Sequence, residues 1–150
     1  MHISYKGDYA LKSMLELAIR FPDTTTTITE LAKGADIPFK FLEQVLLDLK
    51  RAGFLESRRG THGGYRLAKH PAKITLGEVV RFIEGPIEPI ACADKKSLYK
   101  GCKDVYNCVF RDIWTRVAEA TAEIIDTVTF EDLANRFFAR ATASSLDYCI

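Results

Sequence analysis

Cys92, Cys102 and Cys108 lie in one segment behind a Gly85-Pro86...Pro89 break, in a run dotted with Lys95, Lys96, Lys100 and Lys103. Three thiols in one loop make a ligand set rather than a core, because the thiolate is the metal-binding form of cysteine. The pattern Cys92-x9-Cys102-x5-Cys108 contains no close Cys-x2-Cys pair, so neither a zinc knuckle nor a thioredoxin-type redox pair is indicated. Thiolates held in a flexible loop suit an iron-sulfur cluster, with 2Fe-2S favoured and 4Fe-4S also accessible to such a donor set. The four lysines either offset the charge of cluster and thiolates or form a solvated face. A zinc ion or reversible thiol oxidation is the rival use of the same cysteines. Cys149, near the end of a Thr/Ser-containing tail, reads as a free thiol.

These residues need a scaffold, and the segment from Asn107 to Val128 supplies one side of it. Val109, Ile113, Val117, Ala120 and Ile124 run beside Phe110, Trp114, Thr121 and Ile125, an apolar surface too broad for one buried stripe. A long helix paired with a second copy of itself accounts for that breadth, and a two-fold homodimer predicts a pseudopalindromic DNA operator.

Upstream the pattern is that of a DNA reader. A helix from about Asp8 to Phe21 carries Leu11, Met14, Leu15, Ala18 and Ile19 at helical spacing, and Pro22 breaks it. A short helix around Thr29 to Ala32 stops at Gly34. Another follows Ile37-Pro38, with Phe39, Leu42, Val45, Leu46 and Leu49 on one stripe, and ends at Gly53. Two short helices joined by a tight turn, the second with a polar outer face, describe a helix-turn-helix. Phe54 to Leu67 then reads as two short strands around a basic tip rich in glycine, the wing of a winged helix. Gly60, Gly63 and Gly64 permit the tip conformation, and Arg58 or Arg59 can enter a narrow minor groove, with His62 beside them. No Gly-x4-Gly-Lys-Ser/Thr pattern follows a strand, so a nucleotide-binding role is not indicated.

Bulk properties agree. The chain has 150 residues, 47% of them hydrophobic, and a formal charge of +1, enough for one compact domain with an appended element. The charge is segregated. Eight Lys or Arg stand against three acids from Pro38 to Lys73, whereas four arginines face seven acids from Val109 to Ile150. The basic middle suits a phosphate-contacting face. No basic-then-apolar leader and no apolar run of the ~18 residues a membrane span requires are present, so a cytoplasmic protein without membrane association is expected. No nucleophile-base pair or substrate motif points to an enzyme.

Tyr9-Ala10, Phe41-Leu42-Glu43-Gln44, Arg59-Gly60...Gly63-Gly64-Tyr65, Thr75-Leu76-Gly77-Glu78-Val79, the three loop cysteines and Trp114 follow one another in a known order. Over nearly the whole chain this order resembles the Rrf-type regulators, the family of the iron-sulfur cluster regulator IscR, the nitric-oxide sensor NsrR and the cysteine-metabolism regulator CymR. The resemblance implies a homodimer on double-stranded DNA, with Glu43 and Gln44 reading base edges, Arg59 probing the minor groove and Lys40 on the phosphate side. The chemistry agrees, since glutamate accepts from cytosine N4 and glutamine pairs with adenine. It also implies cluster ligation by the three cysteines. Two departures stand out: the Cys92 to Cys102 gap is longer than is usual in IscR and NsrR, and Arg111 occupies the place of IscR's ligating histidine. Asp8 instead matches the acidic position that supplies NsrR's fourth ligand from the partner subunit. Its competing role is that of an acid at a helix start.

The expected fold is mainly α with a small β-hairpin wing, a winged helix-turn-helix plus a long dimerisation helix. Residues 1–84 would form the DNA-binding domain, 85–106 the cluster-binding loop, and 107–150 the dimerisation helix and C-terminal segment. Ordering of the cysteine loop against the first helix and the dimer helix would set the spacing of two DNA-binding heads. A small iron-sulfur electron carrier without DNA function is the remaining alternative.

Overall fold

The computed structural model describes residues 2–22, 25–60, 63–93, 101–102, 104–105 and 107–146. Helix α1 (Tyr5–Ile19) starts at Ser4, whose hydroxyl accepts from the Gly7 N–H at 3.1 Å. The Ser4 N–H and hydroxyl in turn donate to one Glu84 oxygen, at 2.9 and 2.7 Å. Gly7 makes this approach possible, because a Cβ there would collide with the Glu84 carboxylate.

A reciprocal capping box of Thr27 and Glu30 opens α2 (Ile28–Gly34), which satisfies two of the amide donors that every helix start leaves without partners. The turn that follows places Asp36 at φ 53°, a conformation Asp tolerates better than most residues. It also drives Ile37 into the core, with its N–H on the Ala32 carbonyl at 3.0 Å. Helix α3 (Phe39–Arg51) then buries Leu42, Val45, Leu46 and Leu49. Phe39, expected on that stripe, is 45% exposed. It is the first residue of the helix, where the chain has only begun to approach the core.

Strands β1 (Leu55–Arg58) and β2 (Gly64–Leu67) form the antiparallel hairpin, with Leu55 opposite Leu67 and Arg58 opposite Gly64. Leu55 and Leu67 are buried and fix the root, because a register slip of one residue would turn both toward solvent. Thr26 and Tyr65 exchange both backbone bonds, at 2.9 and 2.8 Å, and pin the hairpin to the segment before α2. The architecture is thus mainly helical with one two-stranded hairpin, as expected.

After a short 3-10 turn (Pro71–Lys73), a second capping box, Thr75 with Glu78, opens α4 (Leu76–Glu84). The long helix α5 (Val109–Thr127) packs on α4. Gly77 sits where a Cβ would strike the Asp126 carboxylate, and Arg81 donates to Asp126 at 2.9 Å. That carboxylate holds the Arg81 guanidinium even more firmly in its charged form. Val80, Ile87 and Ile125 form a small apolar cluster in this region.

The chain then returns. The Leu76 N–H donates to the Val128 carbonyl at 2.9 Å, and the Phe130 N–H to the Ile74 carbonyl at 3.0 Å, a backbone clasp centred on Thr75 and Thr129. Helix α6 (Phe130–Leu146) begins there, capped by Thr129 and Asp132, and packs along α1. Residues 130–146, expected only as part of a C-terminal segment, therefore form a full helix. Its first residue, Phe130, is wholly buried in one cluster with Met14, Leu17, Leu42, Leu46 and Leu67.

Truncating a fully buried Phe costs its transfer free energy plus a cavity term. Phe130→Ala is therefore expected to destabilise the protein by about 3–5 kcal/mol, read as a lower urea midpoint.

Candidate DNA-reading surface and cysteine segment

At 3.6 residues per turn, Lys40, Gln44, Leu47 and Arg51 share the ridge of α3 opposite its buried stripe, with Glu43 on one flank and Asp48 on the other. Lys40, Glu43 and Gln44 are all exposed. Beside the ridge lies a recess of about 490 Å³ lined by Tyr5, Lys6, Tyr9, Phe41, Gln44 and Val45.

Asp48 organises this edge. One carboxylate oxygen accepts from Lys6 Nζ at 2.7 Å and the other from Gln44 Nε2 at 2.9 Å, with Arg51 at 3.6 Å. The Lys6 bond, joined by Gln44 and the Arg51 charge, holds the Asp48 carboxyl below its ordinary range. Neither Lys6 nor Asp48 was singled out from sequence. The Gln44-x3-Asp48 spacing is a readable helix pair, whereas the Lys6 contact crosses the fold.

On the hairpin, Arg58 and Arg59 are exposed at the wing end, and among the described residues neither guanidinium is committed to an ion pair. Gly60, at φ 110°, turns the chain immediately after them, a conformation that costs a residue with a Cβ. Arg66, by contrast, pairs with Glu56 across the strands, and Lys50 reaches Ser57 at 2.6 Å, tying α3 to β1. His62 lies outside the described residues.

Cys92 is half-buried in a 3-10 turn (Ala91–Ala93), and Cys108 is half-buried immediately before α5. Arg111 connects them: its N–H donates to the Cys108 carbonyl at 3.1 Å and its Nε to the Cys92 carbonyl at 2.8 Å. An arginine offers no lone pair to a metal, so the residue at the expected histidine position ties backbone to backbone instead. Cys102 is exposed. Among the described residues, no group of three His, Cys, Asp or Glu side chains converges as a metal site. Asp8 pairs with Lys12 at 2.7 Å, and the cap of α1 is Ser4. Lys95, Lys96, Lys100 and Lys103 lie outside the described residues.

Helix α5 buries only Ala118 and Ile125. Val109 (73% exposed), Phe110, Ile113, Trp114, Val117 and Ile124 face outward, a contiguous apolar strip that a monomer leaves in water. No helix among the described residues is long and apolar enough to cross a membrane.

If Arg111 shields and fixes the Cys92 turn, Arg111→Ala should speed alkylation of Cys92 several-fold while leaving exposed Cys102 unchanged. Peptide mass spectrometry of the reduced, metal-free protein after timed iodoacetamide treatment measures both.

Comparison with known proteins identifies the lineage. Residues 3–136 match a family model described as Rrf2, iron-dependent transcriptional regulator. The chain is 36% identical to the HTH-type transcriptional regulator CymR of Bacillus subtilis, over 90% of this chain and 91% of that protein. The solved structure of that CymR, described as the global cysteine regulator, superposes with a TM-score of 0.76 at 34% identity, over 91% of this chain and 98% of the other. An oxidised form of Staphylococcus aureus CymR gives 0.69 at 28% identity, covering 89% and 96%. T. potens IscR gives 0.72 at 26%, covering 91% and 88%. These relatives are regulators and not enzymes, and the chain, with its helix-turn-helix, its hairpin and its match over most of its length, belongs to the Rrf2 family of transcriptional regulators.

Proposed function

We propose that the protein is a homodimeric regulator that acts on double-stranded DNA in the cytoplasm and senses its signal through Cys92, Cys102 and Cys108. The observation that carries the DNA half is the alignment of Lys40, Gln44 and Arg51 on the open ridge of α3, linked through Lys50 and Ser57 to a hairpin ending in Arg58 and Arg59. In this reading Glu43 and Gln44 contact base edges, Lys40 a phosphate, and Arg58, Arg59 and His62 the minor groove or its flanks. The outward strip of α5 supports pairing of two copies, which would present two recognition helices to a pseudopalindromic operator.

For the sensor half we favour an iron-sulfur cluster, 2Fe-2S before 4Fe-4S. The donor set fits in kind: soft thiols, two of them on backbone that Arg111 joins, in a chain matching an iron-dependent family. Cys92, Cys102 and Cys108 would hold the cluster, and Asp8 of a second copy would complete the set once released from Lys12. When bound, such a group supplies sensitivity to oxygen, nitric oxide and iron supply. The protein's own part is to hold the Cys92 turn and the start of α5 in one arrangement. Because α5 packs on α4 and Glu84 of α4 holds Ser4, a shift there reaches the start of α1, beside the recognition helix.

A second reading rests on a specific observation, the 36% identity to a cysteine regulator together with the likeness to a CymR solved in an oxidised form. There the same thiols would act by reversible oxidation without iron, or hold zinc.

Anaerobic isolation followed by visible spectroscopy and assays of iron, acid-labile sulfide and zinc separates these readings. The cluster reading predicts iron and sulfide in equal amounts with thiolate-to-iron absorption. Colourless protein after reconstitution, with an operator response reversed by reductant, would establish the thiol reading instead. For the DNA half, Arg59→Ala should weaken binding about tenfold to duplexes selected from a random pool, and lower the salt dependence by about one unit if it meets a phosphate. Anisotropy titrations at several salt concentrations read both, and unchanged binding would remove the wing from the interface.

A further inference from the structure

We infer that Asp48, fixed by Lys6, is a positioning residue that sets which way round Gln44 presents its carboxamide to DNA, and therefore which base it prefers. The inference rests on the proposed reading of Gln44 as a base reader and deepens it.

Three observations carry it. Gln44 Nε2 donates to Asp48 Oδ1 at 2.9 Å, so one amide hydrogen is already directed along the helix. Asp48 Oδ2 is held from α1 by Lys6 Nζ at 2.7 Å, which fixes the carboxylate from outside its own helix. The Asp48 side chain is only 16% exposed, whereas Lys6 is 48% exposed, so the carboxylate sits under its partners and not out in solvent.

The chemistry follows from donor and acceptor inventories. An ionised carboxylate only accepts, so it admits one orientation of the neighbouring amide, nitrogen toward Asp48 and oxygen away. Because Lys6 and its neighbours hold the Asp48 carboxyl below the ordinary value of 3.8, the acceptor-only state persists throughout neutral pH. It is lost only as pH falls through that lower value. Gln44 then offers Oε1 and its second N–H in a fixed order. That order matches adenine, whose N6 donates and whose N7 accepts, and mismatches a base edge that presents donor and acceptor in the reverse order. An unrestrained glutamine samples both orders and discriminates less. Pairs of this type are individually weak in water, yet they gain strength in an interface from which water is excluded.

The test is selection of binding duplexes from a random pool by the intact protein and by Gln44→Ala, Asp48→Asn and Asp48→Glu, with melting temperatures measured in parallel. Asparagine is nearly isosteric with aspartate but can both donate and accept, so it permits the flipped amide. Gln44→Ala should erase the preference at one position of each half-site. Asp48→Asn should reduce the same preference roughly three- to tenfold, within the range a bidentate base contact supplies, and leave other positions unchanged. Asp48→Glu, still acceptor-only, should retain most of it. If Gln44→Ala erases the preference while Asp48→Asn leaves it intact, the inference is overturned and Gln44 remains a reader. A loss spread equally over all positions by Asp48→Asn, with a lowered melting temperature, also overturns it by making Asp48 merely structural. If Gln44→Ala changes no position, the base-reading role itself fails and the inference with it.

Discussion

Burial of Ala10, Met14, Leu17 and Ala18 along α1 brings one helix into contact with α3, α4, α6 and the hairpin at once. A helix packed on so many sides needs small residues where neighbours come closest. Gly7, Ala10 and Ser13 meet that need, and the one polar group among them is satisfied because the Ser13 hydroxyl donates to the Tyr9 carbonyl at 2.7 Å. The first turn of α1 then carries two commitments. Ser4 is bound to Glu84 at the end of α4, and Lys6 to Asp48 on α3. The helix that leads to the cysteines and the helix proposed to face DNA are thus both referenced to the same few residues.

The energetic division of labour follows from burial. Each fully buried Leu, Met or Phe contributes roughly 1.5–3 kcal/mol, whereas an exposed ion pair contributes at most about 1 kcal/mol. The apolar cluster therefore holds the elements together, while polar contacts such as Arg111 to the Cys92 carbonyl orient what the core has already brought close. That division leaves α5 distinctive, because its apolar strip contributes nothing to the monomer's core. In the proposed homodimer a second copy removes it from water.

Local patterns made the helix-turn-helix and the hairpin legible. The stripe of Leu42, Val45, Leu46 and Leu49, the turn before Ile37 and the glycines around the wing each act within a few residues, so sequence spacing carries them. Long-range contacts did not announce themselves. Phe130 is buried by residues far from it in the chain, and the Thr129–Asp132 cap that opens α6 became visible only in the structure. Asp8 shows the same limit: an acid near a helix start suggests a cap, but Ser4 takes that role and Asp8 turns to Lys12. For the cysteines, residue type suggested a chemistry, while spacing said nothing of convergence. Arg111 at the histidine position was noticed as a missing ligand, not as the tie between two backbones.

The clasp at Thr75 and Thr129 brings together the two ends of the chain segment that runs through α4, the cysteines and α5. A loop whose two ends are already bonded together is cheap to lengthen: doubling its length adds only about 0.6 kcal/mol of closure entropy. An insertion between α4 and α5 should therefore leave the clasp, and the packing of α4 on α1, in place.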